Sequence, residues 1–247
     1  MNRTLTVATY NIHKGISLFR RRLIIHDLRD RLRDLDAQVV FLQEVQGHHH
    51  HRAQRHDNWP AEPQYEFLAD AIWHDFAYGR NAVYDHGHHG NAILSRYPIV
   101  SWDNEDVSAH TSESRGLLHC EVRVPGWDEL LHCVCVHLGL FARWRRQQFA
   151  ALRARIERMV PAGAPLVVAG DFNDWRNHAD DELAAPLGLT EVFEEMAGRT
   201  ARSYPSALPV LRLDRIYVRG FSVESARVHH GRRMSDHAAL ASTLRRT

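Results

Sequence analysis

Carboxylate, amide and imidazole side chains recur where the apolar, strand-like runs of this sequence begin or end. Asn11 follows the first such run and Glu44 follows the second. The whole set comprises Asn11, Glu44, His137, Asp171, Asn173, Asp214, Asp236 and His237. One such residue alone is more often a turn residue or a helix cap. Because so many strand ends carry them, and strand ends meet at one edge of a sheet, we expect one shared site.

The oxygen donors of this set suit a hard divalent cation. Mg²⁺ and Mn²⁺ prefer carboxylate and carbonyl oxygens, and Glu44 and Asp236 supply carboxylates. Asn11 can add a neutral carbonyl oxygen or donate an N–H group to a phosphate. We therefore expect Mg²⁺, or Mn²⁺, as the cofactor.

The remaining members suit the attack of water on a phosphate ester. Asp171 and Asn173 together can polarise and aim a water molecule. His237, held by Asp214, can contact a phosphate oxygen, and His137 is a second imidazole for that phosphate or for the leaving group. A metal ion neutralises the charge that develops on the phosphoryl oxygens. The predicted chemistry is metal-assisted hydrolysis of a phosphodiester or phosphomonoester.

Hydrophobic periodicity predicts the elements that must position these residues. Strands are predicted at Leu5–Tyr10, Gln38–Val45, Ala92–Leu94, Ile99–Val107, Leu117–Val124, Leu130–Val136, Leu166–Ala169, Leu213–Val218, Phe221–Val228 and Ala239–Leu244. Helices are predicted at Arg20–Leu35, Gln64–Trp73, Arg143–Val160 and Asp180–Leu187, with a long polar loop at Gly47–Pro63. Strands outnumber helices, and helices fall between groups of strands. This pattern predicts an α/β fold with two mixed sheets packed face to face and helices outside, in one domain over residues 1–247.

The bulk composition narrows the class of protein. The 247 residues are 44% hydrophobic, and 31 basic against 30 acidic residues give a net charge of +1. A protein that coats DNA usually has a clear basic excess, so this balance weighs mildly against that role. Cys133 and Cys135 lie two apart in an apolar run, without a CxxC motif, which indicates buried thiols in a reducing compartment. No apolar run approaches the ~20 residues of a membrane span, and we expect a cytoplasmic monomer.

Five short segments resemble the signature blocks of the endonuclease/exonuclease/phosphatase superfamily. They follow that family's order over residues 5–240, and they are Thr9–Ile12, Leu42–Val45, Gly170–Asn173, Leu213–Ile216 and Ser235–His237. Three further segments are similar to a bacterial subgroup whose members are often encoded beside a cardiolipin synthase: Gly90–Pro98, Asn11–Gly15 and Tyr78–Tyr84. The resemblance implies a four-layer, DNase I-like α/β sandwich and a metal-dependent phosphoric ester hydrolase. The tyrosine-bearing motif of the abasic-site endonuclease branch is absent from the sequence.

The resemblance also implies a role for each matching position. Glu44 would be the principal metal ligand, with Asn11 and Asp236 assisting it. Asp171 would orient or deprotonate the attacking water, and Asn173 would hold the phosphate. His237, paired with Asp214, would bind the phosphate in the transition state. His137 stands where the nuclease and sphingomyelinase branches place a further catalytic histidine.

Other polar residues are candidates for substrate contact. His89, Asn91 and Arg115 lie close in sequence to the predicted central strands, and Arg115 could grip a phosphate through two N–H groups. The His48–His51 run could form an extra metal site, but a solvated loop is the favoured interpretation. A nucleic-acid substrate requires a basic groove with aromatic platforms, whereas a phospholipid requires exposed apolar side chains near the mouth, such as Phe19, Trp59 or Phe141. The sequence leaves DNA, RNA, lipid and small phosphodiesters open. A non-catalytic binding module on the same fold is the least favoured alternative, because every expected polar position carries the expected residue type.

Overall fold

The elements of the fold alternate between groups of strands and single helices. The computed structural model describes residues 3–17, 22–49, 51, 54–56, 58–70, 72–230 and 234–247. Its strands are β1 (Thr4–Asn11), β2 (Val39–His49), β3 (Asp75–Tyr84), β4 (Gly87–Ser95), β5 (Ile99–Asp106), β6 (Gly116–Val122), β7 (Leu131–His137), β8 (Leu166–Asp171), β9 (Thr190–Glu191), β10 (Asp214–Arg219), β11 (Phe221–His229) and β12 (Ala239–Arg246). Its α-helices are α1 (Ile25–Asp34), α2 (Gln64–Ala69), α3 (Ala142–Met159), α4 (Ala185–Leu187) and α5 (Val192–Ala197), with a 3-10 turn at His13–Gly15 and a π-helical turn at Asp180–Ala184.

The strands form two six-stranded mixed sheets. The first has the order β11-β12-β1-β2-β4-β3 and the second has the order β5-β6-β7-β8-β10-β9. Each sheet has one parallel pair, β1 with β2 and β7 with β8. A parallel pair requires a crossover connection, which α1 supplies in the first sheet and α3 in the second.

Three apolar clusters define four layers. The first lies between the sheets and includes Val7, Phe41 and Cys133. The second packs α1 and α2 against the outer face of the first sheet, and the third packs α3 against the outer face of the second. The predicted four-layer α/β sandwich is therefore confirmed. Cys120, Cys133 and Cys135 are free and buried in this interior, and burial raises the pKa of each thiol.

The parallel pairs bring the polar strand ends to one edge. Asn11 pairs with Gln43, next to Glu44, and His137 pairs with Asp171 on the neighbouring strand. Asp214, at the start of β10, pairs with Asp171 from the other side. Since both sheets present these ends in the same direction, one edge of the sandwich carries nearly all the polar candidates.

Several predicted boundaries differ from the structure. The helix predicted from Arg20 begins at Ile25, although residues 18–21 lie outside the described part of the chain. The helix predicted over Gln64–Trp73 ends at Ala69. The loop predicted from Gly47 is wrong at its start, because β2 continues through His49 and pairs there with Gly87. A polar strand end reads as a loop when its pairing partner is far away in sequence.

Among the strands and α-helices, β3, β9 and α5 went unpredicted. Strand β3 is polar at its centre, around Gly79–Asn81, because it is the edge strand of its sheet and needs little apolar surface. Helix α5 is only 6 residues long, and the Glu191 carboxylate caps it by accepting bonds from the N–H groups of Phe193 and Glu194. Within the described ranges, no helix is both long and apolar enough to span a membrane.

Candidate functional site

A cavity of about 440 Å³ opens at the polar edge of the sandwich. Seven of the eight strand-end candidates line it: Asn11, Glu44, His137, Asp171, Asn173, Asp236 and His237. Asp214 lies directly behind His237 and reaches the cavity through that imidazole. The structure thus brings the predicted set together, while the catalytic and metal-binding roles of its members remain predictions.

Asp171 lies at the buried centre of the cavity. Its Oδ2 accepts a hydrogen bond from Asn11 Nδ2 at 3.1 Å, and its Oδ1 accepts one from the backbone N–H of Asn173 at 3.0 Å. The same Oδ2 lies 3.5 Å from His137 Nε2 and 3.7 Å from His237 Nε2. Burial, together with the negative charge of Asp214 and against the opposing charge of His237, raises the pKa of Asp171 to about 7. A carboxylate with that pKa can accept a proton near neutral pH.

The two imidazoles beside Asp171 differ in charge. His237 Nδ1 is 2.8 Å from Asp214 Oδ2. Burial acts to lower the pKa of His237, but the carboxylates of Asp214 and Asp171 outweigh it and raise that pKa to about 10. For His137, burial and the nearby Arg115 hold the pKa well below its usual value. One imidazole is therefore cationic and the other neutral at pH 7.

Local backbone features place Asp171 and Asn173. Gly170 has φ +150°, and a Cβ there would lie 2.0 Å from the carbonyl oxygen of Val136, so only glycine lets β8 pass this close to β7. Asn173 has φ 51°, and its side-chain Nδ2 donates to the carbonyl of Leu138 at 2.9 Å. These contacts fix the turn that follows β8.

Glu44 and Asp236 form the other side of the cavity. Glu44 Oε2 is 3.2 Å from Lys14 Nζ and 3.9 Å from His13 Nδ1, and Asp236 Oδ1 is 3.6 Å from the same His13 nitrogen. Burial acts to raise the pKa of Glu44, but interactions with His137, Lys14 and His13 outweigh it and hold that pKa at about 2. Because His137 is neutral at pH 7, the positive charge that faces Glu44 at that pH comes from the Lys14 ammonium, 3.2 Å from Oε2. Glu44 therefore stays ionised at any physiological pH.

Backbone strain is concentrated around this cavity. Among the described residues, seven other than glycine have a positive φ, and four of them line the cavity: His13, Lys14, Glu44 and Asn173. Each such conformation costs roughly 1–3 kcal/mol and persists where the surroundings impose it. At Glu44 the strain coincides with a register shift between β2 and β4, which turns the carboxylate toward the cavity. Strain of this kind is typical of functional sites.

Two groups of residues could hold a metal ion. Atoms of Asp171, Asp214 and His237 lie within 4.8 Å of one another, but His237 Nδ1 is already hydrogen-bonded to Asp214 Oδ2, and a cationic imidazole cannot ligate a metal. Glu44 fits a cation better. Its Oε2 is buried and faces the partly exposed Lys14 ammonium at 3.2 Å, its carboxylate stays ionised, and Asp236 lines the same cavity. The donors are oxygens, which suits Mg²⁺ or Mn²⁺.

Of the three substrate-contact candidates, two line the cavity and one does not. His89 and Arg115 line the cavity, and Arg115 Nε lies 3.9 Å from Glu113 Oε2. Asn91 does not reach the cavity surface. It is buried, and its amide donates to the backbone carbonyls of Gly116 at 3.0 Å and Cys135 at 3.4 Å. Its expected role in substrate binding stays a prediction, and in this structure Asn91 of β4 ties the first sheet to β6 and β7 of the second.

The first two histidines of the His48–His51 run lie in a strand that pairs with β4. His48 and His49 belong to β2, and the His48 ring lies 6.1 Å from that of His88, while His51 stacks on His86 at 4.0 Å. His50 lies outside the described residues. Among the described histidines of this region, His89 is the member that lines the cavity at the polar edge.

Sequence reasoning missed several lining residues. His13 and Lys14 follow Asn11 directly, but only the left-handed turn at His13–Gly15 brings them back over Glu44. Tyr204, Leu140, Trp175 and Leu211 come from loops distant in sequence. No periodicity marks such loop residues, so their sequence carries no signal for the site.

An α/β sandwich of two mixed sheets, with carboxylates, imidazoles and amides gathered at one edge, defines the DNase I-like class of proteins. This chain belongs to the endonuclease/exonuclease/phosphatase family, whose model matches residues 8–237. It is 48% identical over 241 residues to the uncharacterized protein YbhP of Escherichia coli strain K12, covering 96% of this chain and 95% of that protein.

Solved structures share the fold at low sequence identity. D. rerio TDP2, complexed with a single-strand DNA product, is similar with a TM-score of 0.71, 20% identity and 98% coverage of each chain. The mannosyl-6-phosphatase of Bacteroides thetaiotaomicron is similar with a TM-score of 0.75 and 17% identity, covering 97% of this chain and 99% of the other. These two proteins act on very different phosphate esters, so the fold by itself does not define a substrate.

Proposed function

We propose that this protein is a divalent-metal-dependent phosphoesterase that hydrolyses a phosphodiester through attack by an activated water. The observation that carries the proposal is the pairing, within one cavity, of a permanently ionised carboxylate at Glu44 with a proton-accepting carboxylate at Asp171. Family membership supports the same reaction class, because members of this family are phosphoester hydrolases.

Asp171 is the group that orients and deprotonates the water. Hydrogen bonds from Asn11 and Asn173 fix its two oxygens, and its raised pKa matches a base that works near pH 7. Asn173 holds a phosphate oxygen beside it. Because Asn11 contacts Asp171 and lies in the same cavity as Glu44, it couples the base to the cation-binding side.

His237 and His137 address the phosphate. His237 is cationic and fixed by Asp214, so it stabilises negative charge that develops on the phosphoryl oxygens. His137 is neutral, and can donate or accept one hydrogen bond at the phosphate or the leaving oxygen. Arg115, which lines the same cavity, adds a guanidinium for a phosphate oxygen.

Glu44, assisted by Asp236 and Asn11, would hold Mg²⁺ or Mn²⁺. When bound, such an ion supplies positive charge that offsets the charge on the phosphoryl and leaving oxygens. Glu44 is suited to this role because it lines the cavity and its low pKa keeps the carboxylate ionised, so that a divalent cation can replace the Lys14 ammonium beside Oε2.

The mouth of the cavity favours an amphiphilic substrate, such as a phospholipid. Leu140, Trp175 and Leu211 line the cavity and are 56%, 44% and 37% exposed, and Phe141, next to Leu140, is 62% exposed. Exposed apolar groups gathered at the mouth of a site mark a surface for apolar ligands. Of the other two aromatic residues expected there, Trp59 packs against α1 and α2, and Phe19 lies outside the described residues.

Nuclease activity is the second candidate. Trp175 is an exposed ring at the cavity and could stack on a base. The likeness to TDP2 supports testing this alternative.

We also propose a cytoplasmic location, because three reduced cysteines are buried in the interior.

A substrate panel tests the function. The purified protein is assayed with Mg²⁺, with Mn²⁺ and with EDTA against phospholipid vesicles, plasmid DNA, single-stranded RNA and bis(4-nitrophenyl) phosphate. We expect metal-dependent release of product from the phospholipid and the small diester, and none in EDTA. Full activity after exhaustive chelation would remove the ion from the mechanism, and cleavage of nucleic acid alone would replace the lipid candidate with the nuclease.

A further inference from the structure

A second cavity, of about 390 Å³, opens at the same edge of the sandwich. Three arginines line it, Arg199, Arg202 and Arg212, together with Thr200 and His230. We call it the arginine cavity. No Asp or Glu lines it, and none of its three arginines forms an ion pair within the described part of the chain.

The two cavities share a wall. Residues 203–211 form a short hairpin, in which the N–H of Ser203 donates to the carbonyl of Leu211 at 2.9 Å and the N–H of Leu211 donates to the carbonyl of Tyr204 at 2.8 Å. Tyr204 and Leu211 line the catalytic cavity, while Arg202 and Arg212, which flank the hairpin, line the arginine cavity.

The arginine cavity also lies on the catalytic edge of the first sheet. His230 directly follows β11, and its neighbour His229 pairs with Ala239, two residues after His237. A ligand that occupies the catalytic cavity therefore needs only to cross one hairpin to reach the arginines.

The charge in this cavity lacks a counter-charge. Three like charges repel each other, and in the described structure the Nε of Arg212 is buried without a hydrogen-bond acceptor. A tetrahedral oxyanion would solve both, because guanidinium groups bind phosphate oxygens through paired N–H groups and Thr200 and His230 add further donors.

We propose that the arginine cavity binds a second phosphate group of the substrate, on the far side of the 203–211 hairpin from the scissile phosphate. That the bound molecule is a substrate rests on the proposed phosphoesterase function. The binding of a phosphate-type anion in the arginine cavity does not depend on catalysis. It defines the substrate class as esters that carry an additional phosphate beyond the bond that is cleaved.

Direct binding is measured first, without catalysis. Inorganic pyrophosphate is titrated in EDTA by calorimetry into the wild-type protein, into Arg199→Gln/Arg202→Gln and, separately, into Arg212→Gln. Arg199 and Arg202 are exposed, so the double variant removes charge without disturbing the core. The matched control is Arg3→Gln/Arg123→Gln, which removes two exposed arginines at the strand ends opposite the catalytic edge.

We expect the double variant to bind pyrophosphate at least about tenfold more weakly, and the control to bind like the wild type. Arg199→Lys/Arg202→Lys keeps the charge but loses the paired N–H geometry, so it should recover part of the affinity. Equal affinity in the wild type and the double variant would overturn the proposal, as would an equal loss in the control.

Kinetics then separates the two proposals. Two chromogenic diesters are compared, the 4-nitrophenyl ester of thymidine 5′-phosphate with and without a 3′-phosphate. In the double variant, KM for the 3′-phosphorylated ester should rise about tenfold with kcat unchanged, while KM for the other ester should stay the same. An equal rise for both esters contradicts the second phosphate site. If the protein hydrolyses neither ester and none of the panel substrates, the proposed function is contradicted. The pyrophosphate titration still tests the second phosphate site in that case.

Discussion

The two sides of the cavity at the polar edge use carboxylates and imidazoles with different protonation behaviour. On one side, which we call the cation side, the carboxylate of Glu44 faces Lys14 and His13. On the other, which we call the relay side, the carboxylate of Asp171 faces His237 but also shares its surroundings with Asp214. Nearby positive charge outweighs burial at Glu44, whose pKa falls to about 2, whereas burial prevails at Asp171, whose pKa rises to about 7.

This difference shows how one cavity can contain both a carboxylate suited to binding a metal ion and a carboxylate suited to acting as a general base. A carboxylate that never takes up a proton is suited to a divalent cation, and one that titrates near neutral pH is suited to a proton transfer. The imidazoles follow the same rule, since carboxylate neighbours make His237 cationic while burial and Arg115 keep His137 neutral. Charged partners therefore outweigh burial at Glu44 and His237, whereas burial decides the state of Asp171 and His137.

The largest effect should come from the base of the relay side. Asp171→Asn keeps the size of the side chain but cannot accept the proton, so we expect kcat to fall about 10²–10⁴-fold. Its metal requirement should stay unchanged, because it is not the proposed ligand. A metal titration of the residual activity checks this, and near-UV circular dichroism confirms the fold. Rescue of this variant by high metal would exchange the roles assigned to the two sides.

On the cation side, Glu44→Gln should lose activity through metal binding. A neutral amide attracts a divalent cation far less than a carboxylate does, so at low metal the rate should fall as severely as in Asp171→Asn. At high metal, part of the rate should return. Glu44→Asp, which keeps the charge, is the matched control and should need less metal than Glu44→Gln. A rate that stays flat across the metal titration would mean that Glu44 does not hold the ion.

The pH profile compares the two sides in the unmodified protein. The active form requires Asp171 ionised and His237 protonated, and Glu44 is ionised throughout. As pH falls below about 7, Asp171 takes up a proton, and kcat should drop about tenfold per pH unit. As pH rises above about 10, His237 loses its proton and the rate should fall again. Asp171→Asn should lack the acidic limb, and a wild-type profile that is flat from acid to neutral pH would contradict the assignment.

The smallest effect should come from Lys14. Its ammonium competes with a metal ion for Glu44 Oε2, at 3.2 Å, and is partly exposed to solvent. Removing this charge in Lys14→Gln should lower the metal concentration for half-maximal rate by about three- to tenfold. Lys14→Arg keeps the charge and should behave like the wild type. A higher metal requirement in Lys14→Gln would show that the lysine supports the ion instead of competing with it.

Much of the fold was accessible from the sequence. Buried strands such as β2 and β8 contain continuous apolar runs, and α3 has apolar residues on one stripe, so their hydrophobic patterns identify them. The polar residues at their ends were identified because strand ends interrupt those patterns. Edge strand β3 and the short helix α5 escaped, since an edge strand and a short surface helix bury too little to impose a pattern.

The sequence by itself determined the strand-end residues of the site and the order of its motifs, because alternation and burial leave a local imprint on residue type. Only the tertiary structure decided that Asn91 ties the sheets together, that His13 and Lys14 fold back over Glu44, and that the 203–211 hairpin separates two cavities. These features depend on left-handed turns and on loops that meet across the fold. Their residues come together through packing between segments that are distant in sequence, and such long-range contacts leave no local pattern in the sequence.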